Sequence, residues 1–241
     1  MLDIVIVTGA SKGIGYELSK QLKEEGKKVI GIARTVLEDA DTFVSADLSD
    51  TDHLDKLILS IIEENIEIAT SFSLINNAGM VDPIGLIGSV QAEVITKAIA
   101  VNLTAPILIS NAFISRLQNF GGTKRIVNIS SGAGRNPYEG WGTYCTTKAG
   151  LDHFTRVVAL EQTNAKYPVE IVAIAPGIID TDMQETIRAS EADEFPLLAQ
   201  FIDYKKQGLL SSAEQTAQKL IAFMENEDFK AVGPIVDIRN F

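Results

Sequence analysis

The sequence predicts an α/β fold: a doubly wound parallel sheet with helices on both faces, in a single domain over residues 1–241. Three observations carry that expectation. Short β-branched runs alternate with longer amphipathic stretches along the whole chain, the order that right-handed strand–helix–strand crossovers produce. The short runs are almost wholly apolar, as strands covered on both faces require. The first run ends in a glycine-rich turn that leads straight into a helix. A chain of this length is within reach of one α/β domain and buries a core large enough to need no covalent staple.

The elements follow in order. Residues 4–7 form the first strand and 14–25 the first helix, closed by Gly26 where a helix end favours glycine. Strands are then expected at 29–33 and 43–46, a helix at 54–64, a strand at 74–76 and a long helix at 91–118. Next come a strand at 125–129, a helix at 143–165, a strand at 169–175, a helix at 213–225 and a last strand at 235–238. Residues 178–210 break the rhythm, with short helical patches at 183–189 and 197–206 and no strand. This segment follows a strand end, where open α/β sheets bind ligands, so a substrate lid is expected there; an inert excursion is the alternative.

The 32 acidic and 21 basic residues give a formal charge of −11. That repels phosphate backbones and anionic lipid, and no basic patch offsets it, so neither a nucleic-acid nor a membrane partner is expected. Cys145 is the single cysteine, which excludes an internal disulfide, and no base accompanies it as a nucleophile would need. His53 and His153 are too far apart for a local ligand pair and are expected on helix surfaces, so no metal is expected. Asp3 stands where a signal peptide wants basic residues, and no apolar run approaches ~18 residues; the expected location is the cytoplasm.

Strand one ends in Thr8-Gly9-Ala10-Ser11-Lys12-Gly13-Ile14-Gly15. Glycines there permit a tight turn and let backbone N–H groups approach a pyrophosphate at the positive end of the helix. A nicotinamide dinucleotide with a bare ribose usually meets an acid at the end of the second strand, about 20 residues on. Here that strand ends Ile32-Ala33-Arg34-Thr35 instead. Arg34, with Lys12 as a second cation, fits a 2′-phosphate, so the cofactor expected is NADP(H).

Farther on, Tyr144 and Lys148 lie four apart on a predicted helix and share a face. An ammonium beside a phenol stabilises the phenolate and would lower its pKa, preparing the tyrosine to pass a proton to a carbonyl oxygen.

The glycine loop, Asn76-Asn77-Ala78-Gly79, Asn102, Ser131, Tyr144, Lys148 and Pro176-Gly177 follow one another in an order and spacing that resembles the short-chain dehydrogenase/reductase family over nearly the full length. Residues 176–184 resemble its sepiapterin-reductase-like branch, and residues 128–138 and 140–150 its bacterial benzil reductases, which form (S)-benzoin. The resemblance implies a Rossmann sheet and a catalytic set of Asn102, Ser131, Tyr144 and Lys148. Tyr144 would be the acid/base, Lys148 its activator and ribose anchor, and Ser131 the donor that polarises the carbonyl. Ser131, thirteen residues before Tyr144, matches the family's serine; Ser130 does not. Asn102 would hold a water that links Lys148 to solvent. Pro106 offers no N–H to the Asn102 carbonyl, which could leave that carbonyl to a water or mark a packing kink.

For the cofactor, the resemblance implies Gly9, Ser11, Lys12, Gly13, Ile14 and Gly15 around the phosphates. Arg34 would reach the 2′-phosphate, Asp47 the adenine amine with Leu48 beside it, and Asn77, Ala78 and Gly79 the ribose. Pro176, Gly177, Ile179, Thr181 and Met183 would meet the nicotinamide. Tyr138 and Trp141 are candidates for an aromatic substrate wall, with ordinary packing as the alternative. Asp237 would anchor a pterin's amino edge or pair with Arg239, which shares its face on an extended strand. The implied activity is NADPH-dependent reduction of one carbonyl of a dicarbonyl or activated ketone. A pterin side-chain ketone reductase and a non-catalytic NADP(H) sensor are the alternatives. The implied partners are a small carbonyl substrate and further copies of the chain, as a homodimer or homotetramer through helices 91–118 and 143–165.

Overall fold

The structure, a computed structural model, describes residues 1–35 and 42–241. Its strands are β1 (Leu2–Thr8), β2 (Lys28–Ala33), β3 (Phe43–Ser45), β4 (Ala69–Asn76), β5 (Thr123–Ile129), β6 (Glu170–Ala175) and β7 (Ile235–Asp237). They form one parallel sheet in the order β3-β2-β1-β4-β5-β6-β7. The strand order reverses direction between β1 and β4, which opens a crevice at their C-terminal ends.

The apolar runs explain the layering. Side chains alternate along each strand, and the register lines them up across the sheet. Ile6 pairs with Ile30 and Leu74, Leu74 with Ile126, and Ile126 with Ile171. That row packs under α2 (Leu54–Asn65), α4 (Ala105–Leu117) and the rear of α5 (Gly142–Gln162). One residue on, Val7, Ile75, Val127 and Val172 face the opposite way, under α1 (Gly13–Glu24) and α8 (Ala213–Asn226). A strand buried on both faces has no place for alternating polarity, hence the continuous apolar runs.

Three expectations need correction. β4 begins at Ala69, not at residue 74, because Thr70 and Ser71 both donate to Asp3 Oδ1 (2.8 and 2.6 Å), which satisfies a polar start from the neighbouring strand. The long helix is not continuous: α3 (Ala92–Ile99) passes through a π turn (Ala100–Thr104) into α4. In that turn the Ala105 N–H reaches the carbonyl of Ala100, five residues back. Pro106 thus sits behind a widened turn, a device common at functional sites. The last strand ends at Asp237, and Ile238–Asn240 forms a 3₁₀ turn.

Residues 178–210 contain α6 (Asp182–Arg188) and α7 (Leu198–Lys206), and α9 (Phe229–Val232) lies against β6 just before the chain enters β7. The stretch Ala92–Leu117 is long and apolar enough to cross a membrane by length and composition, contrary to the sequence expectation. In its α4 half that apolarity serves the core: Ala105, Ile109, Ala112, Phe113 and Leu117 are all buried in the layer that α4 shares with α2. His53 and His153 are both exposed, and no cluster of metal-ligating side chains occurs among the described residues.

Candidate active site

A cleft of about 650 Å³ runs along the C-terminal ends of the strands. Its floor begins with the glycine loop. Gly9 and Gly13 take positive φ (67° and 55°), and a Cβ on Gly15 would lie 2.3 Å from the Gly9 carbonyl oxygen and 2.4 Å from Asn77 Nδ2. At Gly9 and Gly15 the loop therefore folds back on Asn77 and Ala78, just after β4, too closely for a side chain. Thr8 braces the junction: its Oγ1 accepts from the N–H groups of Asn77 (3.0 Å) and Ala78 (3.1 Å), while Asn77 Nδ2 donates to the Thr8 carbonyl at 2.9 Å. At the head of α1, Lys12 makes no side-chain cap and the first turn holds no acid. The first N–H groups of that helix thus keep their capacity for an anion.

Every residue expected to bind the cofactor lines this cleft except Gly15, which lies buried beneath the loop. Arg34 is exposed at the tip of β2. Asp47 accepts from the Ser49 N–H and hydroxyl through Oδ1 (2.9 and 2.8 Å), and these bonds hold its carboxyl below the usual range. Lys12 is not the second free cation that the sequence suggested. Its ammonium forms a 2.8 Å ion pair with Asp182.

The chemistry-bearing side chains converge where β5 meets α5. Ser131 accepts from the Ala133 N–H at 3.1 Å and so caps the 3₁₀ turn Gly132–Gly134. Gly134 lets that turn rest on α5, since a Cβ there would lie 2.8 Å from the Lys148 carbonyl oxygen. This contact sets Ser131 beside Tyr144. Burial pushes the Tyr144 phenol above its ordinary value, and a hydrogen bond with Ser131 pulls part of the shift back.

The expected lowering of the phenol by Lys148 does not appear in this arrangement. The ammonium lies 5.8 Å from the ring centroid and donates to the Ile129 carbonyl at 2.8 Å. Burial brings Lys148 itself down to about 8, with Asp152 acting in the opposite sense. A protonated phenol next to a hydroxyl donor is equipped to give a proton.

Asn102 stands one layer behind the cleft, fully buried. Its amide grips the loop after β4, accepting from the Met80 N–H (2.9 Å) and donating to the Met80 carbonyl (2.8 Å), with a longer contact to Thr147 Oγ1 (3.3 Å). The side chain is thus a clamp between that loop and α5.

Of the substrate candidates, Trp141 lines the cleft and Tyr138 packs behind it, ring centroids 5.6 Å apart. Trp141 stacks on Phe195 (4.9 Å, 16°) and meets Tyr144 and Phe201 edge-on. Phe195, Phe201 and Asp182 were missed in sequence because nothing in residues 178–210 shows how they fold back. Asp237 is outside the cleft lining. Arg239 holds both its oxygens, at 2.8 and 2.6 Å, and the Arg239 N–H caps Oδ1 at 3.0 Å. The pair forms around the 3₁₀ turn and not along an extended strand.

Comparison with known proteins agrees with this geometry. The family model for short chain dehydrogenases matches residues 3–192. A Bacillus cereus benzil reductase that forms (S)-benzoin is 41% identical over 93% of this chain and 95% of its own length. The corresponding Bacillus subtilis enzyme is 36% identical over the whole of both chains. Among solved structures, the KRED1-Pglu enzyme superposes with a TM-score of 0.84 over 97% of this chain and 99% of its own, at 24% identity, a likeness of fold.

Proposed function

Since the chain belongs to the short-chain dehydrogenase/reductase family of oxidoreductases, we propose that it is an NADPH-dependent carbonyl reductase acting on one carbonyl of an aryl-bearing vicinal dicarbonyl, with benzil as the probe substrate. The observation that carries this reading is the Ser131–Tyr144 pair at the cleft floor, two O–H groups able to meet one oxygen. The names of the similar Bacillus enzymes support the substrate class. The rings of Trp141 and Phe201 in the wall suit a flat aromatic substituent.

The dinucleotide fits the cradle: Gly9 and Gly13 turn the loop through positive φ, and the α1 N-terminus offers uncapped donors. Gly13 and the loop would hold the pyrophosphate, Arg34 the 2′-phosphate, and Lys148 with Asn77 the ribose. When bound, that group supplies the hydride for the carbonyl carbon. Ser131 then donates to the carbonyl oxygen and polarises it. Tyr144 gives that oxygen its proton as it becomes an alkoxide, and Lys148 keeps positive charge beneath the phenolate left behind. The segment 178–210 acts as a lid that places Phe201 over the substrate and excludes water. In the reverse direction the same proton moves from alcohol to Tyr144.

The test is a panel of dicarbonyls assayed with NADPH and NADH, with chiral analysis of the product. Oxidation of NADPH by benzil, and preference over NADH, is the expected result; NADPH binding with no turnover of any dicarbonyl would favour a sensor. Assembly as a dimer or tetramer belongs to this reading too. On α5, Val157 (41%) and Leu160 (76%) are exposed apolar residues that a partner would cover. Sedimentation as a monomer would reject it.

A further inference from the structure

We propose that Asp152 is a positioning residue of this site: its buried carboxylate ties the Ser130–Arg135 segment to α5 and balances the Lys148 ammonium. The inference rests on the carbonyl-reductase reading above and names a side chain which that reading does not use. Asp152 is 1% exposed and stands four residues after Lys148, on the same face of α5. Its Oδ1 accepts from the Ser130 hydroxyl at 2.5 Å and its Oδ2 from Arg135 Nε at 3.3 Å. Ser130 and Arg135 bracket Ser131 and the turn that follows it. Both are fixed elsewhere as well: the Ser130 N–H donates to the Ile174 carbonyl (2.8 Å) and Arg135 Nη2 to the Val236 carbonyl (2.8 Å). One carboxylate therefore connects β5, β6, β7 and the loop carrying Ser131 to the helix carrying Tyr144 and Lys148.

Packing alone does not call for a charge here. Replacing a whole buried ion pair by apolar residues of similar volume is often neutral or stabilising. The charge has a use because Lys148 is buried beside it. Around the pair, the titratable and charged groups among the described residues are Tyr144 on α5, Arg135 from the loop, and Asp237 of β7, on which Arg135 acts and which Arg239 engages. From β5, Lys148 receives the neutral Ile129 carbonyl; from the π turn it faces the Asn102 amide across Gly79. Asp152 is thus the carboxylate that opposes the desolvation of Lys148.

Two variants test this with opposite signs. Asp152→Asn keeps the shape and removes the charge. Arg135→Met removes a competing cation and leaves the carboxylate to Lys148. The Lys148 titration is read by NMR of its side-chain amine in the cofactor-free protein, and the alkaline limb of kcat for benzil reduction is followed alongside. Asp152→Asn should move both downward by about one pH unit, whereas Arg135→Met should move both upward. A Lys148 titration unchanged in both variants would overturn the inference. If Asp152→Asn fails to fold, the upward shift in Arg135→Met decides alone. If the wild type turns over no dicarbonyl, the carbonyl-reductase reading falls, while the titration still answers for Asp152.

Discussion

Lys12 of the glycine loop and Asp182 at the head of α6 form a 2.8 Å ion pair that joins the nucleotide cradle to the segment beyond β6. Both side chains are about two-thirds exposed (69% and 67%), so the pair adds little to stability. Its effect falls on anion binding, since Asp182 occupies the cation and adds a negative charge nearby. Asp182→Asn should tighten NADPH binding by roughly 2–5-fold, and Lys12→Ala should loosen it by a similar factor, as removal of one exposed charge does. Fluorescence titration with NADPH reads both; weaker binding in Asp182→Asn would mean that the pair holds the loop in shape.

Arg34 is expected to set the choice between the two dinucleotides. Arg34→Ala should cost about 1.5–3 kcal/mol of NADPH binding and leave NADH nearly unchanged, the usual worth of a hydrogen bond to a charged group. Equal losses for both would show that Arg34 supports the loop and does not meet a 2′-phosphate.

Tyr144→Phe keeps the ring and removes the proton, so NADPH should still bind while kcat falls about 10²–10⁴-fold. Ser131→Ala should reduce kcat more than it weakens NADPH, because its O–H is aimed at the developing oxyanion. Retention of a tenth of the wild-type kcat in Tyr144→Phe would disqualify it as the acid.

Lys148 gives the fold a distinct pH signature. Burial brings its folded pKa to about 8, below the ordinary 10.5. Between those values the unfolded chain holds the proton that the folded protein has released, so stability rises with pH across that window. Below pH 8 the full cost of burying the charge is present. Relative to Lys148→Met, the cofactor-free wild type should gain about 2–3 kcal/mol of unfolding free energy from pH 8 to 10, by the conversion of pKa shift to free energy. Urea unfolding at a series of pH values measures it, and parallel curves for the two proteins would contradict the burial of a charged amine.

Phe201 meets Trp141 edge-on at 5.1 Å and lines the cleft. Phe201→Leu retains bulk and removes the ring. The KM for benzil should rise about 2–10-fold, the worth of one aromatic contact, while a small aliphatic diketone is unaffected. An equal change for both substrates would place Phe201 in packing alone.

The parts of the molecule that were legible in sequence are those whose cause is local. The apolar runs around Ile6, Leu74 and Ile126 follow from burial on both faces. Gly9 and Gly13 mark the turn because of their positive φ, and the four-residue spacing of Tyr144 and Lys148 is helix geometry. What escaped depends on partners distant in the chain. Thr70 and Ser71 extend β4 because Asp3 accepts from both. Lys12 looked free because Asp182 is 170 residues away. The Tyr144 phenol was expected to be lowered because spacing reveals a neighbouring ammonium but not burial, which dominates it.

The π turn at Ala100–Thr104 has a consequence for the phase of the helix that contains it. One residue more than an α turn advances every later side chain by about 100° around the axis. A single repeating face therefore cannot run from α3 into α4, and Ile99 can stand exposed while Ile109 and Phe113 turn fully into the core. The extra residue sets the azimuth of the Asn102 amide, which must meet both the N–H and the carbonyl of Met80. Deletion of one residue here would rewind the stretch into an ordinary helix and rotate the clamp off its loop or the apolar face off the sheet. The length of this segment is therefore what keeps both the Asn102 clamp on its loop and the α4 face in the core.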